Sequence, residues 1–145
     1  MLDLETFKTV VDATPLVSID LIVRNENRVL LGRRTNKPAK GFWFTTGGRI
    51  YKDESIATAI RRIAKVELGI SSSIDPKFIG VFEHFYEDSM FEGVSTHYVN
   101  LGYTLEVSEP LALPHDQHND YVWMELEALM QDKDVHENVK LYFKG

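Results

Sequence analysis

The chain has 145 residues, 43% of them hydrophobic and 26% charged, with a formal net charge of -6 and no cysteine. That length fits one ordinary domain, 1–145, able to bury a core without disulfide or metal staples, and the composition excludes disordered and fibrous classes. The acidic balance excludes a general nucleic-acid binder, the lack of cysteine excludes thiolate nucleophiles and Cys-ligated zinc, and no apolar run approaches the roughly 20 residues of a membrane helix.

The first residues, MLDLETFK, are acidic where a signal peptide would be basic and then apolar, so a cytoplasmic protein without a membrane partner is expected. Leu4, Phe7, Val10 and Val11 recur at helical spacing, and Thr14-Pro15 ends that amphipathic helix. VSIDLIV (17–23) alternates and is rich in β-branched residues, Asn25 to Asn27 reads as a turn, and RVLLGRR (28–34) reads as the second strand of a hairpin. The loop TNKPAKGFWF leads to Gly47-Gly48, whose backbone is free to adopt unusual dihedrals. A helix is expected from about Asp53 to Leu68, with Gly69 as an αL stop. FIGVFEHFYED (78–88) and THYVNLGYTLEV (96–107) read as strands, LPHDQHND as a polar loop and YVWMEL as a short strand. Helices are expected over Leu126–Met130 and near Val135–Phe143. Strands and helices in this irregular order predict an α+β or mixed α/β sandwich.

Charge is unevenly placed. From Asn27 to Lys52 the chain carries Arg28, Arg33, Arg34, Lys37, Lys40, Arg49 and Lys52 with no acidic residue, whereas from Phe78 to Asp132 it has no Lys or Arg. A local basic segment in an acidic protein points to a small anionic ligand, although a solvated surface explains any single one of these side chains.

The helix after Asp53 raises a specific question. Ile56, Ile60 and Ile63 form its expected buried stripe, and Glu67, eleven positions after Ile56, falls about 20° from it on the helical wheel. A carboxylate there is opposed by the helix dipole in the last turn by about 0.3–1 kcal/mol, and burying it unpaired costs several kcal/mol more. Two explanations stand: Glu67 snorkels out past the stripe, or a cation meets it. Glu54 and Arg62, about 80° apart on the wheel, are placed to pair along the flank. A carboxylate together with a backbone carbonyl brought close by Gly47 and Gly48 is the oxygen chemistry of Mg²⁺ or Mn²⁺ bridged to a phosphate.

Gly48, five residues, Glu54, seven residues, Arg62, then Glu67, Gly69 and Ile70 resemble the Nudix box, a loop-helix-loop that holds a divalent ion on a nucleoside diphosphate. The box departs from the family at Ile63 and Val66, where Glu is expected, and at Thr46, where Pro commonly precedes the glycines. The runs TPLVSID, LLGRRTNKPAKGFWF, GVFEHFYED, THYVNLGY, LALPHDQHNDYVW and NVKLYF extend the resemblance to the GDP-mannose mannosyl hydrolase subfamily, whose own box lacks the same two glutamates.

The resemblance implies a Nudix-type α/β/α sandwich with a mixed central sheet. It implies Mg²⁺-dependent hydrolysis of GDP-mannose or GDP-glucose, with water attacking the anomeric carbon with inversion. Alternatives are a pyrophosphatase attacking phosphorus in a nucleoside diphosphate sugar, and a non-catalytic nucleotide-binding module. Carried over residue by residue, the metal ligands are the Gly47 carbonyl, Glu67 and Gln117; Arg34 and Arg49 hold the phosphates; His118 is the general base; Asp20, His84 and Tyr98 contact the sugar or its leaving oxygen; and Phe7 stacks on guanine across a homodimer interface. Without the family, HDQHND reads as turn chemistry or a metal loop through His115 and His118, Asp20 as a residue on a half-exposed sheet face, and His84 and Tyr98 as packing.

Overall fold

A computed structural model describes residues 2–108, 111, 113 and 120–144. Among the described residues seven strands form one sheet, β1 (Leu16–Asn25), β2 (Arg28–Arg33), β3 (Trp43–Phe44), β4 (Thr46–Arg49), β5 (Lys77–Tyr86), β6 (Thr96–Glu106) and β7 (Tyr121–Glu125). The main path runs β3-β2-β1-β6-β5, with β4 added to β1 and β7 to β2. β1 and β6 run parallel over nine residues, from Leu16↔Tyr98 to Arg24↔Glu106, and the other pairings are antiparallel, so the sheet is mixed as expected. The helices are α1 (Leu4–Ala13), α2 (Ile56–Leu68), α3 (Leu126–Gln131) and α4 (Glu137–Lys140), followed by a 3-10 turn, Leu141–Phe143.

Period-2 alternation on β1 splits the core into two. Ile19, Leu21 and Val23 pack under α2 with Leu30, Ile60, Ile63 and Leu68. Ile22 packs on the other side with Val29, Leu31, Phe44, Leu129, Val135 and Val139. Burying each such side chain contributes about 1.5–3 kcal/mol, which is what holds helices on both faces of the sheet.

Local chemistry sets the helix ends. The Asp3 carboxylate accepts from Thr6 N–H at 2.8 Å to start α1, and this bond holds its carboxyl below the usual range. The Ser55 hydroxyl accepts from Thr58 N–H at 3.1 Å to start α2. Gly69, at φ 69°, closes α2 while the Gly69 and Ile70 amides donate to the carbonyls of Lys65 and Ala64, each at 3.1 Å.

Four expectations are corrected. α2 begins at Ile56, because Asp53 has φ 64° and Ser55 is the cap. Ile56, in the first turn, is 45% exposed, and Ala59, Ala64 and Leu68 complete the buried stripe instead. The β1–β2 hairpin holds only at Arg24↔Val29 and Asn25↔Arg28; beyond that β1 pairs with β4 and β6, and β2 turns to β3 and β7. The helix expected over Val135–Phe143 is a single α turn and a 3-10 turn, started by His136, whose Nδ1 accepts from Asn138 N–H at 3.0 Å.

Candidate functional site

Residues far apart in sequence meet through strand register. Asp20 on β1 sits opposite Gly47 on β4, Leu16 at the start of β1 pairs with Tyr98 on β6, and Tyr98 pairs with His84 on β5. Arg34 follows β2 directly, and Glu67 arrives from the last turn of α2. Asp20, Arg34, Gly47, Glu67, His84 and Tyr98, with Gly48 and Arg49, line one cavity. Seven of the ten expected site residues therefore surround the same space: Asp20, Arg34, Gly47, Arg49, Glu67, His84 and Tyr98. Gln117 and His118 lie outside the described residues.

The glycines act differently from expectation. Neither Gly47 nor Gly48 has a positive φ; both lie in β4, and the constraint is space. A Cβ on Gly47 would stand 2.3 Å from Asp20 Oδ1 and 2.5 Å from the Ile19 carbonyl, and one on Gly48 would press on Ile63 at 3.2 Å. Only glycine lets β4 and β1 close here.

Glu67 faces inward and is 9% exposed. Burial pushes its carboxyl up to about 7, partly offset by Arg34 and reinforced by the Asp20 charge. Burial likewise raises Asp20 to about 6, against hydrogen bonds from Tyr142 and Thr45 and the charge of Arg34. His84 is pulled down to about 4 by burial and by His136, so its ring is neutral at ordinary pH. Burial raises the Tyr86 and Tyr98 hydroxyls. The site thus gathers carboxyls held above their usual range around the Arg34 guanidinium, an arrangement that favours an incoming cation at Glu67 and an anion at the arginines.

The two arginines are positioned by neighbours. Arg34 Nε donates to the Pro38 carbonyl at 2.8 Å, and its guanidinium lies 5.6 Å from the Phe44 ring. Arg49 lies between the rings of Phe7 at 5.0 Å and Tyr51 at 5.1 Å. Phe7 thus adjoins the cavity within its own chain, edge-on to Phe91 at 5.9 Å. Arg62 clamps Glu54 through two bonds of 2.8 and 2.9 Å and donates to the Arg49 carbonyl at 2.7 Å, fixing α2 to the end of β4. That clamp holds the Glu54 carboxyl down at about 2. Of the seven basic residues between 27 and 52, only Arg34 and Arg49 line the cavity; Arg28 pairs with Glu125 and Arg33 lies over Trp43.

The donor chemistry fits a hard divalent ion. Glu67 supplies a carboxylate whose burial is unfavourable without a cation, and the glycine backbone of β4 lies beside it. Among the described residues no group of three His, Cys, Asp or Glu side chains is placed to hold a metal.

The cavity wall also includes Ser18, Thr45 and Tyr86, and Tyr142 and Asn100 lie behind it. Period 2 marks Ser18 with Asp20 and Tyr86 with His84. Period 2 marks Asn100 with Tyr98 in the same way, whereas no periodic signal marks Tyr142.

The NUDIX domain model matches residues 14–144. The low-salt glycan biosynthesis protein Agl8 of Haloferax volcanii is 39% identical over 116 residues, 79% of this chain and 74% of that protein. An ADP-ribose pyrophosphatase of Methanocaldococcus jannaschii is 32% identical over 68 residues, 47% of this chain and 40% of that protein. The crystal structure of a MutT NUDIX hydrolase from Burkholderia pseudomallei superposes with a TM-score of 0.72 at 23% identity, covering 89% of this chain and 95% of that one, a likeness of fold.

Proposed function

The chain belongs to the NUDIX family of hydrolases, and on that premise we propose that it hydrolyses GDP-mannose or GDP-glucose at the anomeric carbon, releasing GDP and the free sugar. One observation carries this reading. Of the three α2 positions at which the family box places Glu, only Glu67 is acidic and only it lines the cavity; Ile63 is 1% exposed against Gly48, and Val66 is 45% exposed on the outer side. The carboxylates that would direct water onto phosphorus are absent, whereas groups suited to a leaving diphosphate and a sugar remain.

In this mechanism water adds to C1 from the face opposite the diphosphate, and its proton passes to His118, the proposed base. The C1–O bond breaks with its electron pair going to the β-phosphate oxygen, so the sugar is released inverted. Arg34 and Arg49 bind the phosphates and stabilise the charge that develops there. Asp20, His84 and Tyr98 hold the sugar, and the neutral ring of His84 can donate to the leaving oxygen without competing as a base. Glu67, the Gly47 carbonyl and Gln117 would hold Mg²⁺ or Mn²⁺, which when bound would neutralise charge on the diphosphate. A homodimer, with Phe7 stacking on guanine, completes the proposal. The 39% identity to a glycan biosynthesis protein supports a sugar-linked role.

The similarity to an ADP-ribose pyrophosphatase favours a second reading, attack at phosphorus. Turnover in ¹⁸O-labelled water separates the two. Label in mannose with none in GDP supports attack at C1; GMP and sugar 1-phosphate as products would refute it.

A further inference from the structure

Behind the cavity wall lies a polar chain that the proposed reaction leaves unused. The Ser18 hydroxyl donates to Asn100 Oδ1 at 2.8 Å, Asn100 Nδ2 donates to the Tyr142 hydroxyl at 2.6 Å, and that hydroxyl donates to Asp20 Oδ2. An amide nitrogen only donates, so the phenol receives one bond from Asn100 and its single proton goes to Asp20; the direction of the chain is fixed. Asn100 is fully buried and Ser18 is 8% exposed, so bulk water does not substitute for these bonds. The Thr45 hydroxyl donates to the same Asp20 Oδ2 at 3.1 Å. Two donors therefore hold Oδ2, and Oδ1 stands on the side of Gly47. The Tyr142 hydroxyl also lies 3.4 Å from His84 Nε2, and its ring packs edge-on to Phe82 at 4.7 Å. One phenol thus touches two of the three groups assigned to the sugar.

We propose that Tyr142 is a positioning residue that sets sugar selectivity: by holding Asp20 Oδ2 it leaves Oδ1 as a rotationally fixed acceptor for a sugar hydroxyl. This rests on the reading of the cavity as a sugar-nucleotide site. A fixed acceptor distinguishes epimers because a hydroxyl turned to the other face leaves a buried carboxylate oxygen without its donor.

Tyr142→Phe removes the hydroxyl and keeps the ring. Binding of GDP, GDP-mannose and GDP-glucose is measured by calorimetry with Ca²⁺ replacing Mg²⁺, and chromatography confirms intact nucleotide. The variant is expected to bind GDP within about twofold of the unaltered protein, to lose about tenfold for the preferred sugar nucleotide, and to show a mannose-to-glucose ratio nearer one. A merely structural role would weaken GDP and GDP-sugars together. With Asp20→Asn as background, Tyr142→Phe should add no further loss. Equal losses for all three ligands, an unchanged ratio, or multiplying losses in the double variant would overturn the proposal. Should the unaltered protein bind neither GDP-sugar more tightly than GDP, the sugar reading of the cavity fails first and takes this role with it. Asn100→Leu, which leaves the phenol in place without its donor, is expected to give a smaller change of the same kind and serves if Tyr142→Phe does not fold.

Discussion

Replacing Glu67 by Gln in protein freed of divalent ions removes a charge that the fold holds unfavourably. Burial raises the carboxyl from 4.5 to about 7. The folded chain therefore keeps a proton over a pH range in which the unfolded chain has released it, and the unfolded state binds fewer protons there. Stability attributable to this group falls as pH rises from about 4.5 to about 7, and the full loss stands above that range. At about 1.4 kcal/mol per pH unit the loss is on the order of 3 kcal/mol. Gln keeps the shape and cannot ionise, so in EDTA at about pH 8.5 the variant should melt higher, by roughly 2–4 °C per kcal/mol for a chain of this size. By about pH 4, below the unfolded value, the difference should nearly vanish. Mg²⁺ should then stabilise the unaltered protein and leave the variant little changed, which scanning calorimetry reads directly. If Glu67→Gln melts no higher than the unaltered protein in EDTA above neutrality, the claim that burial strains this carboxylate is wrong. If Mg²⁺ stabilises both equally, Glu67 is not its ligand.

Arg62→Ala should cost about 2–3 kcal/mol in urea unfolding by leaving Glu54 without its clamp, and should also weaken GDP binding because the Arg49 carbonyl loses its donor. Glu54→Gln should abolish the part of the acid-induced destabilisation that this carboxyl causes. Its pKa is lowered to about 2, so its contribution is present above about 4.5 and is lost as pH falls toward 2, which a pH series of melts checks. Ile63→Glu, at a position 1% exposed in the core, should destabilise by about 4 kcal/mol and should not convert the product to GMP; nucleotide chromatography decides the second point. His118→Gln should lower kcat by about 100-fold or more while leaving GDP affinity nearly unchanged, and a wild-type rate would remove it as the base.

How much of this was legible before the structure depends on the range of the interaction involved. Local patterns were readable from neighbouring residues: α1 from Leu4, Phe7, Val10 and Val11, the αL stop at Gly69 and the inward face of Glu67 follow from helical periodicity and residue chemistry within about three turns, whereas the Glu54–Arg62 pair forms with Glu54 ahead of the helix, before the Ser55 cap. Element boundaries in the last segment were not, because Val135 to Phe143 has helical spacing but packs as two short turns around Val139 and Tyr142. Gly47 and Gly48 were recognisable as a place of close approach, but their reasons, β1 within 2.5 Å of a would-be Cβ on Gly47 and the Ile63 side chain of α2 at 3.2 Å from one on Gly48, are tertiary facts.

The sequence by itself determined the box spacing, its two missing glutamates, the carboxylate on the inward face of α2 and the glycine stop at Gly69. Only the tertiary structure decided that Asp20, Glu67 and His84 share one wall, that two arginines of seven reach it, and that Tyr142 closes on Asp20 from 122 residues away. The physical reason is that periodicity encodes which face of an element is buried, while strand register and hydrogen-bond partners across the sheet depend on packing that no short window contains.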